Sequence, residues 1–176
     1  LEYALKQSGC AWLISASSFK SSNYHAMISD LLPELAPATP GQLESPRLPK
    51  LQGIISLSDK PALGMMSWQS VLSGAHVISD EALAEVSRTL QFDDAINIQY
   101  TSGTTGFPKG ATLSHYNILN NGYMVGESLG LTEHDRMVIP VPLYHCFGMV
   151  MGNLGALTHG STIIYPGAAF DPVVTL

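Results

Sequence analysis

Charge is what this sequence has least of. Only 12% of its 176 residues are Asp, Glu, Lys or Arg, about half the share usual in a soluble domain. The eight basic side chains form no cluster and are outnumbered by fourteen acidic ones, leaving a net charge of −6. That balance argues against a nucleic-acid surface and against a polybasic membrane anchor. Long apolar runs are missing too. The longest, Cys146 to Leu157, is interrupted by Gly148, Gly152, Asn153 and Gly155 and falls short of the roughly 18–20 residues that a membrane helix needs. Cysteine is scarce: Cys10 and Cys146 stand far apart with no CxxC spacing, so neither a disulfide framework nor a zinc site is expected, and both read as buried free thiols. The six histidines show no HExxH pair. Disorder is excluded in turn, because 45% of the residues are hydrophobic.

So little charge suits a chain with one flank meant to be covered, and the expectation is a fragment of something larger. Glu2 to Gln7 reads as a helix stopped at Gly9, Ala11–Ser15 as a strand, Ser21–Leu32 as a helix and Leu51–Leu57 as a strand. Residues 33–50 hold a cluster of prolines and read as an irregular surface connection. Ser67 is a cap for a short helix, and Asp80 for a longer one to Leu90 in which Leu83, Val86 and Leu90 recur at helical spacing. Ala95–Tyr100 alternates as a strand. Ser114 caps a helix to about Leu129, Met137–Val141 is a strand, His145–Thr158 an apolar helix and Ser161–Tyr165 a strand. Asp171 and Pro172 mark one further helix start. That order predicts an α/β fold, a mostly parallel sheet flanked by helices.

The stretch Thr101-Ser102-Gly103-Thr104-Thr105-Gly106-Phe107-Pro108-Lys109-Gly110 carries the chemistry. It packs hydroxyls and glycines directly after a strand and ends on a lysine. Glycines allow close approach of backbone N–H groups to an anion, hydroxyls add donors and lysine adds charge, which are the parts of a polyphosphate cradle. A Ser/Thr/Gly-rich surface turn is the alternative reading. A Walker A loop is not, because Phe107 and Pro108 separate Gly106 from Lys109 and Gly110 stands where a magnesium-binding hydroxyl belongs.

Those ten residues resemble the signature phosphate loop of the adenylate-forming (AMP-binding) superfamily. Ala111–Asn117 resembles the segment that follows it there, and Pro142-Leu143-Tyr144-His145-Cys146-Phe147-Gly148 resembles the next motif, on the wall of the acyl pocket. Within the superfamily the similarity is to acyl-CoA synthetases, medium-chain fatty acid–CoA ligases and their bacterial relatives, and it extends more loosely over residues 1–90. The resemblance implies that residues 1–176 are part of a large N-terminal domain and that ATP, magnesium and coenzyme A serve the reaction with a fatty acid. Thr101, Ser102, Gly103, Thr104, Thr105, Gly106 and Lys109, with Phe107 and Pro108 between them, would hold the β- and γ-phosphates. Lys109 and His145 would be catalytic, His145 beside the acyl carboxylate. It also implies that the adenine and magnesium motif, the ribose-binding aspartate and a catalytic lysine lie beyond residue 176, so that this piece is inactive alone. A homodimer is possible on the same basis, in the cytoplasm of a bacterium or the mitochondrial matrix of a eukaryote. Two other readings stay open: another adenylating enzyme, for an aryl acid or an amino acid, and a silent nucleotide-binding module.

Elsewhere the residues allow plainer readings. His25, His76, His134 and His159 read as surface or loop residues and His115 as structural. Gly148, Gly152 and Gly155 suit close helix–sheet packing, with a ligand channel as the alternative. Met149 and Met151 suit core, with an acyl tunnel as the alternative. Asp93-Asp94 reads as a solvated turn.

Overall fold

In the computed structural model, residues 1–102 and 106–175 are described. They form two compact units, Leu1–Arg88 and Thr89–Leu176.

The first unit begins with α1 (Glu2–Ser8), which ends where Gly9 takes the left-handed conformation at φ 61°. Strand β1 (Trp12–Ser15) follows, then a two-residue hairpin of β2 (Ser18–Phe19) and β3 (Ser22–Asn23). That hairpin takes up the start of the expected Ser21–Leu32 helix. Helix α2 runs instead over Tyr24–Leu31, with Asn23 Oδ1 accepting from the Ala26 N–H at 2.9 Å. Strands β4 (Gly53–Ser56) and β5 (Met66–Ser67) complete a parallel sheet in the order β1-β4-β5. Helix α3 (Trp68–Ser73) starts at its Ser67 cap. Helix α4 spans Asp80–Thr89, but its capping oxygen comes from Ser79, which accepts from the Ala82 N–H at 3.2 Å. Leu83 and Val86 on that helix, and Leu90 just beyond it, are more than half exposed.

The proline-rich stretch forms one 3-10 turn, Pro33–Leu35, and no other regular element. It is not a cover laid over the surface, as its composition suggests. Leu35, Leu43, Leu48 and Leu51 are buried in one cluster with Leu5, Ile28, Leu32, Ile54 and Met65. Irregular backbone can enter a core only when its polar groups are paired. Here the Leu43 N–H donates to the Gln52 carbonyl, the Leu51 N–H to the Leu48 carbonyl, and the Leu48 N–H to Ser45 Oγ. Each leucine so buried contributes about 1.5–3 kcal/mol.

The second unit opens with β6 (Ala95–Thr101) and β7 (Lys109–Ser114), an antiparallel pair. Strand β7 is absent from the sequence-based order. Lys109, Gly110 and Ala111 are poor strand formers, and what makes them a strand is pairing with β6. The fold is α/β, and its sheets are parallel at β1-β4-β5 and at β8 (Arg136–Val138) with β9 (Thr162–Ile164), but the longest pair is antiparallel. Helix α5 (His115–Leu129) carries a full capping box, Ser114 and Asn117 each bonding the other's backbone N–H, and stops at Gly130 with φ 67°. A π-helix, Phe147–Leu154, continues into α6 (Gly155–Thr158). The short helix α7 (Pro172–Thr175) begins at Asp171, whose Oδ1 accepts from the Val173 N–H.

Glycines let this second helix lie close to its neighbours. A Cβ on Gly122 would stand 2.5 Å from Leu154 Cβ, and one on Gly152 would stand 2.8 Å from the Ile139 side chain. His159 is not a surface residue. Its side chain is 9% exposed, stacks on Tyr123 at 5.2 Å, and places Nε2 3.1 Å from Glu127 Oε1. His25 is half-buried, its Nε2 3.0 Å from Ser56 Oγ. Neither thiol is buried: Cys10 is half-buried and Cys146 exposed.

Gly64 sits at φ 78°, where a Cβ would run into the Leu35 carbonyl. Gly64→Ala is expected to cost at least ~2 kcal/mol in chemical denaturation followed by Trp12 and Trp68 fluorescence. Gly74→Ala, at φ −79°, where the nearest atom would be 3.4 Å away, should change stability by less than ~1 kcal/mol. Thr132 donates its hydroxyl and its N–H to Asp135 Oδ2 at 2.8 and 2.7 Å, and these bonds hold the Asp135 carboxyl below its ordinary value of 3.8. The ionised form is therefore favoured by folding. Its contribution is present above the ordinary value and is lost as pH falls through the depressed one. Asp135→Asn should flatten the acid limb of a stability–pH curve by lowering its neutral plateau toward the acid-side value, because the variant lacks the ionised form at every pH.

Candidate active site

The described residues of the candidate phosphate loop stand at the end of β6 and the start of β7 and in the segment 106–108 just before β7. Thr101 closes β6 and pairs across the ribbon with Lys109, the first residue of β7. Directly opposed residues of an antiparallel pair share a face, so the loop's first hydroxyl and its lysine are brought to one side. The register behind them is fixed by Tyr100 opposite Gly110. A Cβ on Gly110 would stand 2.9 Å from Ile98 Cγ2 and 3.5 Å from the Tyr100 ring, so a larger residue there would displace the Ile98 side chain.

Ser102 follows Thr101 and is exposed. Gly103, Thr104 and Thr105 lie outside the described residues. Gly106 takes φ 94°, with nothing among the described residues within 4 Å of where a Cβ would be. Its conformation favours glycine, and its surroundings are open, as a backbone that must meet an anion requires. Phe107 and Pro108 are exposed on the way back to Lys109. Lys109 makes no ion pair among the described residues.

His145 stands on a separate element. The turn Pro142–His145 is closed by the His145 N–H bonding the Pro142 carbonyl at 3.2 Å. The imidazole folds back so that Nδ1 accepts from the Phe147 N–H at 3.1 Å, with Cys146 Sγ at 3.8 Å. A ring nitrogen that accepts an N–H carries no proton, so in the neutral ring the proton is on Nε2. His145 thus offers one outward donor, suited to a carboxylate oxygen. Its main-chain oxygen takes the N–H groups of Gly148 and Met149 and so starts the helix. Gly148 is required there because a Cβ would stand 2.5 Å from the Pro142 carbonyl oxygen.

The ribbon and that helix meet at Gln99, whose Nε2 lies 4.0 Å from Met149 Sδ. Gln99 is two residues before Thr101, on the same face of β6. Met149 is therefore a bridge to the ribbon, while Met151 lines an apolar cavity of about 360 Å³. Val125 and Leu129 of α5, Met137 and Val138 of β8, and Phe147 complete much of its wall. Gly148, Gly152 and Gly155 serve close packing against Pro142, Ile139 and α5 respectively. Asp94 Oδ2 accepts from the Gln91 N–H in an exposed turn. Among the described residues no three His, Cys, Asp or Glu side chains come together as a metal site, and no helix is long and apolar enough to cross a membrane.

A family model described as "AMP-binding enzyme" matches residues 1–175. The chain belongs to the AMP-binding enzyme family. It is 45% identical over 176 residues to YngI of Bacillus subtilis (strain 168), described as an acyl-CoA synthetase, covering 100% of this chain and 32% of that protein. It is 43% identical over 180 residues to the mitochondrial medium-chain acyl-CoA ligase ACSF2 of Bos taurus, covering 100% of this chain and 29% of that one. This chain thus spans about three-tenths of the length of these curated relatives. Among solved structures, the anthranilate CoA ligase AuaEII in complex with anthranoyl-AMP superposes with a TM-score of 0.70 at 22% identity, over 95% of this chain and 28% of that one. The long-chain-fatty-acid CoA ligase structure from Rhodopseudomonas palustris CGA009 superposes with a TM-score of 0.66 at 19% identity, over 97% of this chain and 36% of that one. These superpositions give the AMP-binding fold.

What went unread in the sequence is the polar face of β6. Asn97, Gln99 and Thr101 recur at every second position of AINIQYT, a period-two signal that puts them on one side of a strand.

The His145 tautomer is directly measurable. A long-range proton–nitrogen correlation spectrum of the neutral imidazole should show the proton on Nε2 and an unprotonated Nδ1. A dominant Nδ1–H form would remove the bond from Phe147 and the orientation that depends on it.

Proposed function

We propose that the full-length protein is a fatty acid–CoA ligase, acting on a medium-chain acid, and that this chain supplies its phosphate-binding loop. The carrying observation is the pairing of Thr101 with Lys109 at the two ends of a glycine- and hydroxyl-rich sequence, with Gly106 at positive φ between them. In the first step a carboxylate oxygen of the acid attacks the α-phosphorus of ATP, and the bond to the β-phosphate breaks to release pyrophosphate. In the second, the thiol of coenzyme A attacks the acyl carbonyl and AMP leaves.

The residues suit the first step. Charge accumulates on the leaving pyrophosphate, and donors already placed there stabilise it with little rearrangement. Backbone N–H groups about Gly106, the Thr101 and Ser102 hydroxyls and the Lys109 ammonium are donors of that kind. Magnesium accompanying ATP would neutralise phosphate charge, its protein ligands supplied by sequence outside these residues. His145 Nε2–H would donate to the acid. The cavity lined by Phe147 and Met151 is apolar and falls within the roughly 300–1,000 Å³ usual for small-molecule sites, which favours an alkyl tail over an amino acid. The names of the relatives support the same substrate class, and the mitochondrial location in the name of ACSF2 supports a mitochondrial one for a eukaryotic protein of this kind.

The test is carboxylate-dependent ATP–pyrophosphate exchange by the full-length protein, with acids from acetate to palmitate and benzoate. Exchange should peak at a medium-chain acid. A peak at benzoate would assign an aryl acid instead, and no exchange with any acid by a folded, ATP-binding protein would leave a silent nucleotide-binding module. Lys109→Ala should lower exchange by about 10- to 100-fold, the loss of one charge-assisted contact of ~1.5–3 kcal/mol. An unchanged rate would take Lys109 out of the mechanism.

A further inference from the structure

We propose that Gln99 touches substrate: its carboxamide donates a hydrogen bond to the carboxylate of the acid being activated. The assignment rests on the adenylation reading above and adds to it the residue that holds the reacting carboxylate between the phosphate loop and His145.

Position comes first. In the register of β6 and β7, Asn97 faces Leu113, Gln99 faces Ala111 and Thr101 faces Lys109. All six therefore lie on one side of the ribbon, with Gln99 next in line behind the loop's first hydroxyl and its lysine. The same side meets the helix of His145. Gln99 Nε2 reaches Met149 Sδ, and the Met149 N–H bonds the His145 carbonyl, one helical turn from the imidazole. Gln99 thus stands where the two proposed functional segments approach each other.

Hydrogen-bonding capacity comes second. A thioether at 4.0 Å is a weak acceptor, so the Gln99 amide, on a half-buried strand face, can give up that bond for one to a stronger acceptor. Two residues away Asn97 Oδ1 is buried and has no hydrogen-bond partner among the described residues. A buried amide oxygen left unpaired and an amide donor bonded only to sulfur make this a polar face whose hydrogen bonds are not fully made among the described residues. Ala111, opposite Gln99 and exposed, leaves room beside it.

Chemistry selects the occupant. An amide N–H is a neutral donor, which can hold an anionic carboxylate without placing a second cation beside Lys109. The resulting hydrogen bond to a charged acceptor is of the stronger kind. It also orients one carboxylate oxygen toward the α-phosphorus while His145 Nε2–H takes the other.

The test uses the full-length protein and acid-dependent ATP–pyrophosphate exchange, with Gln99→Leu and Gln99→Glu. Gln99→Leu should raise KM for the acid by about tenfold or more with KM for ATP and the melting temperature unchanged. Gln99→Glu should raise it further, because two carboxylates repel. If Gln99→Leu melts early, Gln99→Met, close in shape and lacking the donors, gives the same comparison. An acid KM within twofold of the parent overturns the assignment while leaving adenylation intact, as does a parallel rise of acid and ATP KM, which would mark a purely structural role. Absence of exchange in the parent protein overturns the adenylation reading and this assignment with it.

Discussion

Gly110 lies against Tyr100 across β6 and β7, and that close fit sets what the rest of the second unit can do. A side chain at 110 would meet Ile98 Cγ2 and the tyrosine ring, so glycine leaves both side chains their places on the ribbon, whose rungs keep one antiparallel register from Asn97 to Thr101. From the register follow the opposition of Thr101 to Lys109, the shared face of Asn97, Gln99 and Thr101, and the point at which β7 hands over to Ser114. The Ser114–Asn117 capping box then fixes where α5 begins. A slip of one residue would turn the whole polar face to the other side, and loop, lysine and helix would no longer converge.

Helix α5 carries this order across the unit. Gly122 and Gly126 strip its inner face so that Leu154, Gly155 and His159 approach its backbone, and Glu127 and Tyr123 hold the His159 ring from the same helix. The helix that starts at His145 is thus anchored at its far end to an element whose near end follows directly on β7. Small residues and a buried imidazole do here what large apolar side chains do in the first unit.

Elements with local causes were legible in the sequence. Gly9 and Gly130 end helices because they accept positive φ, Ser67, Ser114 and Asp171 begin them through their side-chain oxygens, and the candidate phosphate loop stands out by its composition. What was not legible depended on partners far along the chain. Strand β7 exists because β6 is there to pair with it, and its lysine, glycine and alanine give no strand signal alone. His159 is buried by Tyr123 and Glu127, which no local pattern near His159 reveals. The α4 leucine stripe has the period of a packed face, yet period reports which residues share a side and not whether anything lies against it. Of the site, the loop and His145 were visible as motifs, but the contact that relates them, Gln99 with Met149, joins residues fifty positions apart.

The first unit draws much of its core from a segment without ladder hydrogen bonds. Loops usually absorb insertions because they run over the surface. Between Pro33 and Leu51 the chain behaves as a fitted insert, its four buried leucines spaced by turns that bond to one another, to Leu32 at the end of α2 and to Gln52 before β4. Lengthening it by a residue would rotate the next leucine toward water and strand the N–H groups that Ser45 and Gln52 now receive. The quantity that natural variation has to preserve in this segment is therefore its length, more than the identity of the residues between the leucines.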